Sequence, residues 1–461
     1  MQSSDKILNE KIGSLLWKFS LPAIVGMVVN SLYNVVDRIF VGRGIGSLGI
    51  AATTVAFPIM TLMLAVSVLI GVGTTALISI RLGQQKQEEA EQIAGNGMAL
   101  LILLPAALTL IFFAFSEPIL IACGAGPEVM PYARDFTLIV VAGGIFSSFG
   151  MGANNFIRAE GNPKMSMYTQ ILGAVANVIL NYLFIFVFGW GMRGSALATV
   201  TAQILVAIWV FSYFYTGRSL VKIRLRNLRP RWPVMAGILA IGLAPFALQL
   251  AASVQQVILN QSLVIYSGEV GLAAIGIVFS IATLLFMPVL GVSQGAQPII
   301  GFNYGAGQYD RVRETLKKAV LAGTAISTLG YLAVRIWPEQ LVGLFSQGDA
   351  ALTELTVHAI MVYMALIWLV GYQVICSNYF QAVGKARQAI VLSLSRQVLF
   401  FIPLLLILPR FWGVEGIWRA APIADLLAVV FTSMMLYYEM KTLGKQAASP
   451  AALQPRAESQ E

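Results

Sequence analysis

The sequence predicts an all-α integral membrane protein, with twelve transmembrane helices arranged as two parallel-repeat six-helix bundles. Three observations predict it. Apolar runs near twenty residues long recur along the chain. Charge is scarce, 58% of the 461 residues being hydrophobic and 11% charged. Landmarks of the first half also return in the second at a nearly constant offset. A soluble globule does not need apolar runs of that length. A helix crossing about 30 Å of hydrocarbon at 1.5 Å per residue does, because it must satisfy its backbone hydrogen bonds internally.

The runs place spans near residues 15–41, 50–80, 93–115, 131–157, 165–188, 194–215, 234–265, 271–300, 315–337, 353–381, 388–409 and 416–438. The first fourteen residues are polar, and the run that follows is longer than a signal-peptide core, so no cleaved leader is expected. Twelve spans put both termini on one side, and that side carries most of the 30 Lys and Arg residues. They are densest at Arg218, Lys222, Arg224, Arg226, Arg229 and Arg231. By the positive-inside rule that side is the cytoplasm, which predicts a multi-pass protein of the cytoplasmic (inner) membrane with both termini inside.

The expected organisation is an N-terminal lobe of residues 1–217, a basic cytoplasmic linker 218–232, a C-terminal lobe 233–445 and a disordered tail 446–461. The tail mixes Ala, Ser, Pro and Gln without periodicity. The net charge of +9 follows the cytoplasmic bias, so the lipid bilayer and not nucleic acid is the expected partner, and the chain is expected to be a monomer. Cys123 and Cys376 supply no disulfide framework. With His358 the only histidine, neither a metal site, nor His-dependent catalysis, nor an organic cofactor is expected. Glu88, Glu89 and Glu91, beside Lys86, read as a solvated helix start.

A shift of 222 or 223 positions brings Pro22 onto Pro245, Gly46 to Ala52 onto Gly268 to Ala274, and Gly73 and Gly83 onto Gly295 and Gly305. Asn155, Ala159 and Gly161 fall on Asn378, Ala382 and Gly384, and Gly191 and Gly194 on Gly413 and Gly416. Spread over six spans, these matches indicate duplication. Each half has an even number of spans, so the repeat is parallel, an arrangement that transport folds use to build a path between repeats. A carrier is the reading this favours; no filter-like loop or ring of like charges suggests a channel.

Polar residues inside spans are costly and therefore candidates for function. In the first span Gly26, Asn30, Tyr33 and Asp37 stand at i, i+4, i+7 and i+11, one narrow stripe, with Asn34 beside it. The repeat turns this stripe into Gln249, Ser253, Gln256 and Asn260, with an amide in place of the carboxylate. Asp37 is then either a working acid or an outer-end residue neutralised by Arg38 or Arg43. Pro22 and Pro245 each release a backbone carbonyl and mark candidate hinges. Asn177 and Asn181 share a face of the fifth span, and Thr199 and Gln203 a face of the sixth; such groups either line a site or join helices. Arg396 and Asp425 lie at similar depth, roughly 12 and 14 Å, either as an ion pair holding the second lobe or as a second coupling site.

The stretch Asn34-Val-Val-Asp-Arg-Ile-Phe-Val-Gly42, with Pro22 before it and Gly46 to Ala52 after it, resembles the multidrug and toxic compound extrusion (MATE) family. So do Asn155-Phe-Ile-Arg-Ala-Glu-Gly-Asn162, Asn177 to Phe186 and Gly194-Ser-Ala-Leu-Ala-Thr199. The likeness covers all but the tail and is nearest the MepA-type and DinF-type branch. It implies a V of two six-helix lobes that export small amphipathic, mostly cationic organic compounds in exchange for protons or sodium. Asp37 matches the family's first-helix acid, and Tyr33, Asn177 and Thr199 match other polar positions of the first lobe. Asn181 stands where many members have Asp. The seventh-helix Glu and tenth-helix Asp of sodium-coupled members have no counterpart, Val370 taking the latter place. Proton coupling is expected, with sodium in the first lobe left open.

Two other functions compete with this expectation. A flippase for a lipid-linked saccharide or peptidoglycan precursor would need cationic side chains facing its diphosphate cargo, whereas the polar stripes are neutral or acidic. A membrane-embedded transferase would need a nucleophile with its base, or metal-binding carboxylates, in one neighbourhood. The sequence shows neither, so an enzyme is not expected.

Overall fold

The computed structural model describes residues 7–217, 219–343 and 350–447. Arg218 and the tail from 448 onward lie outside the described residues, while Gln446 and Ala447 still belong to the last helix. Among the described residues every regular element is helical.

Ten helices are continuous and apolar enough to span a bilayer: Ile12–Gly44, Leu48–Gly83, Gln87–Ala114, Pro163–Val187, Gly191–Tyr215, Trp232–Gly268, Val270–Gly305, Tyr309–Ile336, Ala386–Trp412 and Val414–Leu443. The fourth and tenth spans are bent pairs, Met130–Ala142 with Gly144–Ala159 and Leu352–Tyr363 with Ile367–Ala382, each turning by 49°. Counting each pair as one gives twelve. The two breaks, at Gly143 and at residues 364–366, lie at the repeat offset. Helical backbone continues through Pro22 and Pro245, and the only non-helical dihedrals in the merged seventh and eighth spans are at Gly268.

The repeat is also visible in the turns. Gly161 and Gly384 both have positive φ, as do Gly191 and Gly413, and Gly46 and Gly268. These left-handed turns need glycine. After Gly161, Asn162 Oδ1 accepts from Met165 N at 3.2 Å and Pro163 follows at the first helical position, so the fifth span starts with a capped turn.

Packing divides the described chain into one unit of residues 19–78 and 87–254 and another of 7–18, 79–86 and 255–447. The lobes expected from the sequence, 1–217 and 233–445, therefore exchange short segments. Residues 233–254 lie with the first unit because glycines let the second and seventh spans touch: a Cβ at Gly73 would sit 2.0 Å from Ile238 O, and one at Gly242 1.7 Å from Leu69 O. Residues 7–18 lie with the second unit, where Arg311 Nη2 donates to Ile7 O and Glu10 O at 2.9 and 2.8 Å while its Nε donates to Asn303 Oδ1.

Within the first unit the core is Val41, Ala56, Phe112, Leu120, Phe136 and their neighbours. The described linker residues form a strap across its helix ends. Asn96 Nδ2 donates to Asn227 O at 3.2 Å, Arg231 N donates to Asn96 Oδ1 at 2.7 Å, and Gln87 Nε2 donates to Leu220 O. The core of the second unit surrounds Trp418, with Leu259, Ile275, Ile360, Leu405 and Ile417.

The strap begins at Glu160, just beyond the fourth span and only 3% exposed. Ser219 Oγ, Leu220 N and Tyr213 Oη donate to its carboxylate. Burial outweighs these donors and pushes the carboxyl from its ordinary 4.5 up to about 7. Folding thus favours the protonated form. That contribution to stability is complete below about pH 4.5 and is lost as pH rises through about 7. Glu160→Gln is expected to flatten the dependence of melting temperature on pH across this window; an unchanged slope would contradict the assignment.

Candidate functional site

The first and fifth spans meet where a glycine allows it. A Cβ at Gly26 would lie 2.6 Å from Gln170 Nε2. Gln170 stands seven residues before Asn177 and eleven before Asn181, on the same stripe of the fifth span. This residue was missed in the sequence, although its helical spacing marks it.

At the other end of that stripe the three spans share a hydrogen-bonded chain. Asn181 Nδ2 donates to Asp37 Oδ1 at 2.8 Å and to Asn177 Oδ1 at 2.7 Å, and Asn177 Nδ2 donates to Thr199 Oγ1 at 3.3 Å. The two asparagines and the threonine are buried, at 2%, 0% and 3% exposure. Asp37 and Tyr33 are half-buried. The carboxylate is therefore held by Asn181 of the fifth span, and neither Arg38 nor Arg43 lies within ion-pairing distance of it among the described residues. Buried Asn181 Oδ1 and Gln203 Oε1 have no hydrogen-bond partner among the described residues.

Other residues of the stripes stand outside this chain. Asn30 is exposed, and the side chain of Asn34 lies outside the described residues. In the repeat, Gln256 Nε2 donates to Asn260 Oδ1 at 2.9 Å, whereas exposed Ser253 donates to the backbone of Gln249. Among the described residues no acid joins the bonds of this second stripe.

A separate charged pair lies in the second unit. Arg396 Nε and Asp425 Oδ1 are 2.6 Å apart, with Asp425 only 4% exposed. Arg396 is carried by a π-helical turn, Ser395–Phe401, and a second such turn, Tyr182–Val187, directly follows Asn181. The wider turn re-aims the side chains around it. Tyr363 packs edge-on against Phe401 beside the pair. His358, near the far end of the same span, pairs with Glu415.

The duplication left small polar joints that sequence reasoning passed over. Ser67 Oγ donates to Ser148 Oγ at 2.8 Å between the second and fourth spans. In the second unit Asn378 Nδ2 donates to Ser293 Oγ, while the repeat positions of these two in the first unit, Asn155 and Gly71, are in direct contact. Among the described residues no cluster of three or more His, Cys, Asp and Glu could hold a metal ion.

Two spanning bundles with one carboxylate in a buried polar chain define a membrane transporter. The MatE family profile matches residues 22–183 and 245–407, and the starts are 223 residues apart (245 − 22), the offset read from the glycines. The chain belongs to the MATE family of multidrug efflux transporters, and is of the MepA/DinF type. It is a transporter and not an enzyme. The multidrug export protein MepA of Staphylococcus aureus is 25% identical over 419 residues, covering 91% of this chain and 92% of that one. The MATE multidrug transporter DinF-BH, solved in complex with rhodamine 6G, is 38% identical with a TM-score of 0.87, over 93% of this chain and 96% of that one. An outward-facing MATE transporter of the MOP superfamily superposes with a TM-score of 0.90 at 24% identity, over 95% and 98%.

Proposed function

We propose that the chain is a secondary active exporter that exchanges small amphipathic, mostly cationic organic compounds for protons, with Asp37 binding one or the other. The observation that carries this reading is the polar chain of the first, fifth and sixth spans. It contains one carboxylate, two amides and a hydroxyl, with no Lys or Arg side chain among its bonded members. Asn181 holds Oδ1, which leaves Oδ2 to take the proton or face the cation. Tyr33, one turn away, offers an aromatic face, and Asn177, Thr199 and Gln203 offer neutral hydrogen-bonding partners.

The relatives support the cargo class: MepA is named a multidrug export protein, and DinF-BH is solved with rhodamine 6G. An anionic lipid-linked cargo would need cations where the network has none. We place the chain in the cytoplasmic membrane with both termini inside, on the Lys and Arg bias, and take the monomer as the working unit, with Pro22 and Pro245 as hinges and Arg396 with Asp425 as a structural pair. A sodium ion is the second reading of the coupling site, favoured by one observation: Asn181 Oδ1 is a buried oxygen without a partner, on the residue that holds Asp37, and hard cations bind oxygen.

Reconstituted protein with proton and sodium gradients imposed separately tests the proposal. Efflux of rhodamine 6G is expected to follow the proton gradient and ignore sodium. Efflux driven by sodium at equal pH would replace the proton with the second reading, and efflux driven by neither would refute antiport.

A further inference from the structure

The first span presents more than the Asp37 stripe. Val35, Arg38, Ile39 and Gly42 stand at i, i+3, i+4 and i+7, and with Arg43 and Ile50 of the second span they line a shallow, open groove of about 460 Å³. Gly42 is what lets the two helices close beneath it, since a Cβ there would lie 3.2 Å from Ile50 Cδ1. The apolar lining is uncovered: Val35, Ile39 and Ile50 are 54%, 45% and 48% exposed.

Aromatic residues fix the depth. Phe40 packs on Phe186 at 5.8 Å between centroids, and Phe184, Phe188 and Trp190 stack just beyond at 5.0 to 5.9 Å. Such a belt marks the membrane–water interface. Gly44 adjoins Ile185 and Phe186, so Arg43 lies at the belt, and Arg38 lies about 7.5 Å deeper at 1.5 Å per residue. Among the described residues neither guanidinium has a carboxylate within 4.0 Å. Asp37, next to Arg38 in the chain and near enough to feel its charge, has its carboxylate on Asn181. Two guanidiniums beside exposed apolar side chains at this depth are costly without an anion.

We propose that the groove binds the headgroup of an anionic phospholipid from the leaflet that the first span reaches at Gly44. The phosphodiester lies between Arg38 and Arg43, and an acyl chain runs along Val35, Ile39 and Ile50. Planar guanidinium donors match phosphate oxygens. The groove holds no acid to receive a choline cation, so charge selects an anionic headgroup over a zwitterionic one.

The test uses full-length protein in detergent, measuring phosphatidylglycerol and phosphatidylcholine retained on purification by mass spectrometry and the thermal protection each gives when added back. Wild type is expected to retain phosphatidylglycerol preferentially. Arg38→Gln/Arg43→Gln is expected to weaken it at least about tenfold, whereas Arg226→Gln/Arg229→Gln, which removes the same charge from the linker strap, leaves it in place. Ile50→Trp keeps both arginines but fills the groove and is also expected to lower retention, so the test survives misfolding of the arginine variant. Unchanged phosphatidylglycerol retention in both groove variants, or equal retention of the two lipids by wild type, would overturn the proposal. Inorganic phosphate protecting as well as phosphatidylglycerol would overturn it too, showing an anion site with no lipid seat.

Discussion

Asp425→Ala is expected to cost about 3–5 kcal/mol of stability, the usual penalty for removing one member of a buried ion pair. Asp425 is nearly inaccessible and 2.6 Å from Arg396 Nε, and the guanidinium it leaves behind stands inside a span with Tyr363 and Phe401 nearby. The loss should appear as a large fall in melting temperature of the purified protein. Replacing both members, by Arg396→Met with Asp425→Leu, should recover most of it, because well-packed apolar residues often substitute for such a pair without loss. A double variant that is stable yet inactive in transport would give the pair a coupling role in addition to its structural one. A single variant as stable as wild type would show that the pair does not hold this unit together.

Asp37→Asn is expected to leave stability within about 1 kcal/mol of wild type, since an amide oxygen can still accept from Asn181. Proton-driven efflux of rhodamine 6G should nevertheless fall at least about tenfold, equivalent to about 1.4 kcal/mol. The substitution keeps the shape of the site and removes its one charge. Asn181→Leu should do the opposite damage, leaving Asp37 and Asn177 without their shared donor and costing about 1–3 kcal/mol for each polar group so stranded. Initial rates in proteoliposomes, set beside melting temperatures, separate the two effects. Wild-type-like efflux by Asp37→Asn would remove this carboxylate from the coupling mechanism.

Much of the architecture was legible because the membrane imposes it. Segment length and apolarity are local properties, so spans such as Leu48–Gly83 and Val270–Gly305 can be read directly, and the glycines that need positive φ mark the turns of both halves. The bends of the fourth and tenth spans were not legible. Neither break contains proline; at Gly143 the neighbouring fact is packing, a Cβ there falling 2.5 Å from Val200 Cγ2, which no single helix encodes. The exchanged segments were hidden for the same reason, since Arg311 reaches Ile7 and Glu10 across some three hundred residues.

For the site, spacing found Asp37, Asn177, Asn181 and Thr199 separately, because each pair obeys helical periodicity. It did not reveal that Asn181 donates to both Asp37 and Asn177, nor that Gln203 is left out of the chain. Glu160 was overlooked because a carboxylate in a short loop ordinarily meets water. Only the folded linker strap buries it.

The central claim is that a proton and an organic cation compete for one carboxylate. It is tested most directly by the equilibrium affinity of the purified full-length protein for rhodamine 6G, titrated at a series of pH values in wild type and in Asp37→Asn. Competition predicts that wild-type affinity weakens as pH falls, because a protonated Asp37 no longer attracts the cation. In Asp37→Asn the affinity should be lower and flat with pH. A wild-type affinity that does not weaken on acidification would contradict direct competition at Asp37 and move coupling elsewhere, with Asp425 the next acid to examine.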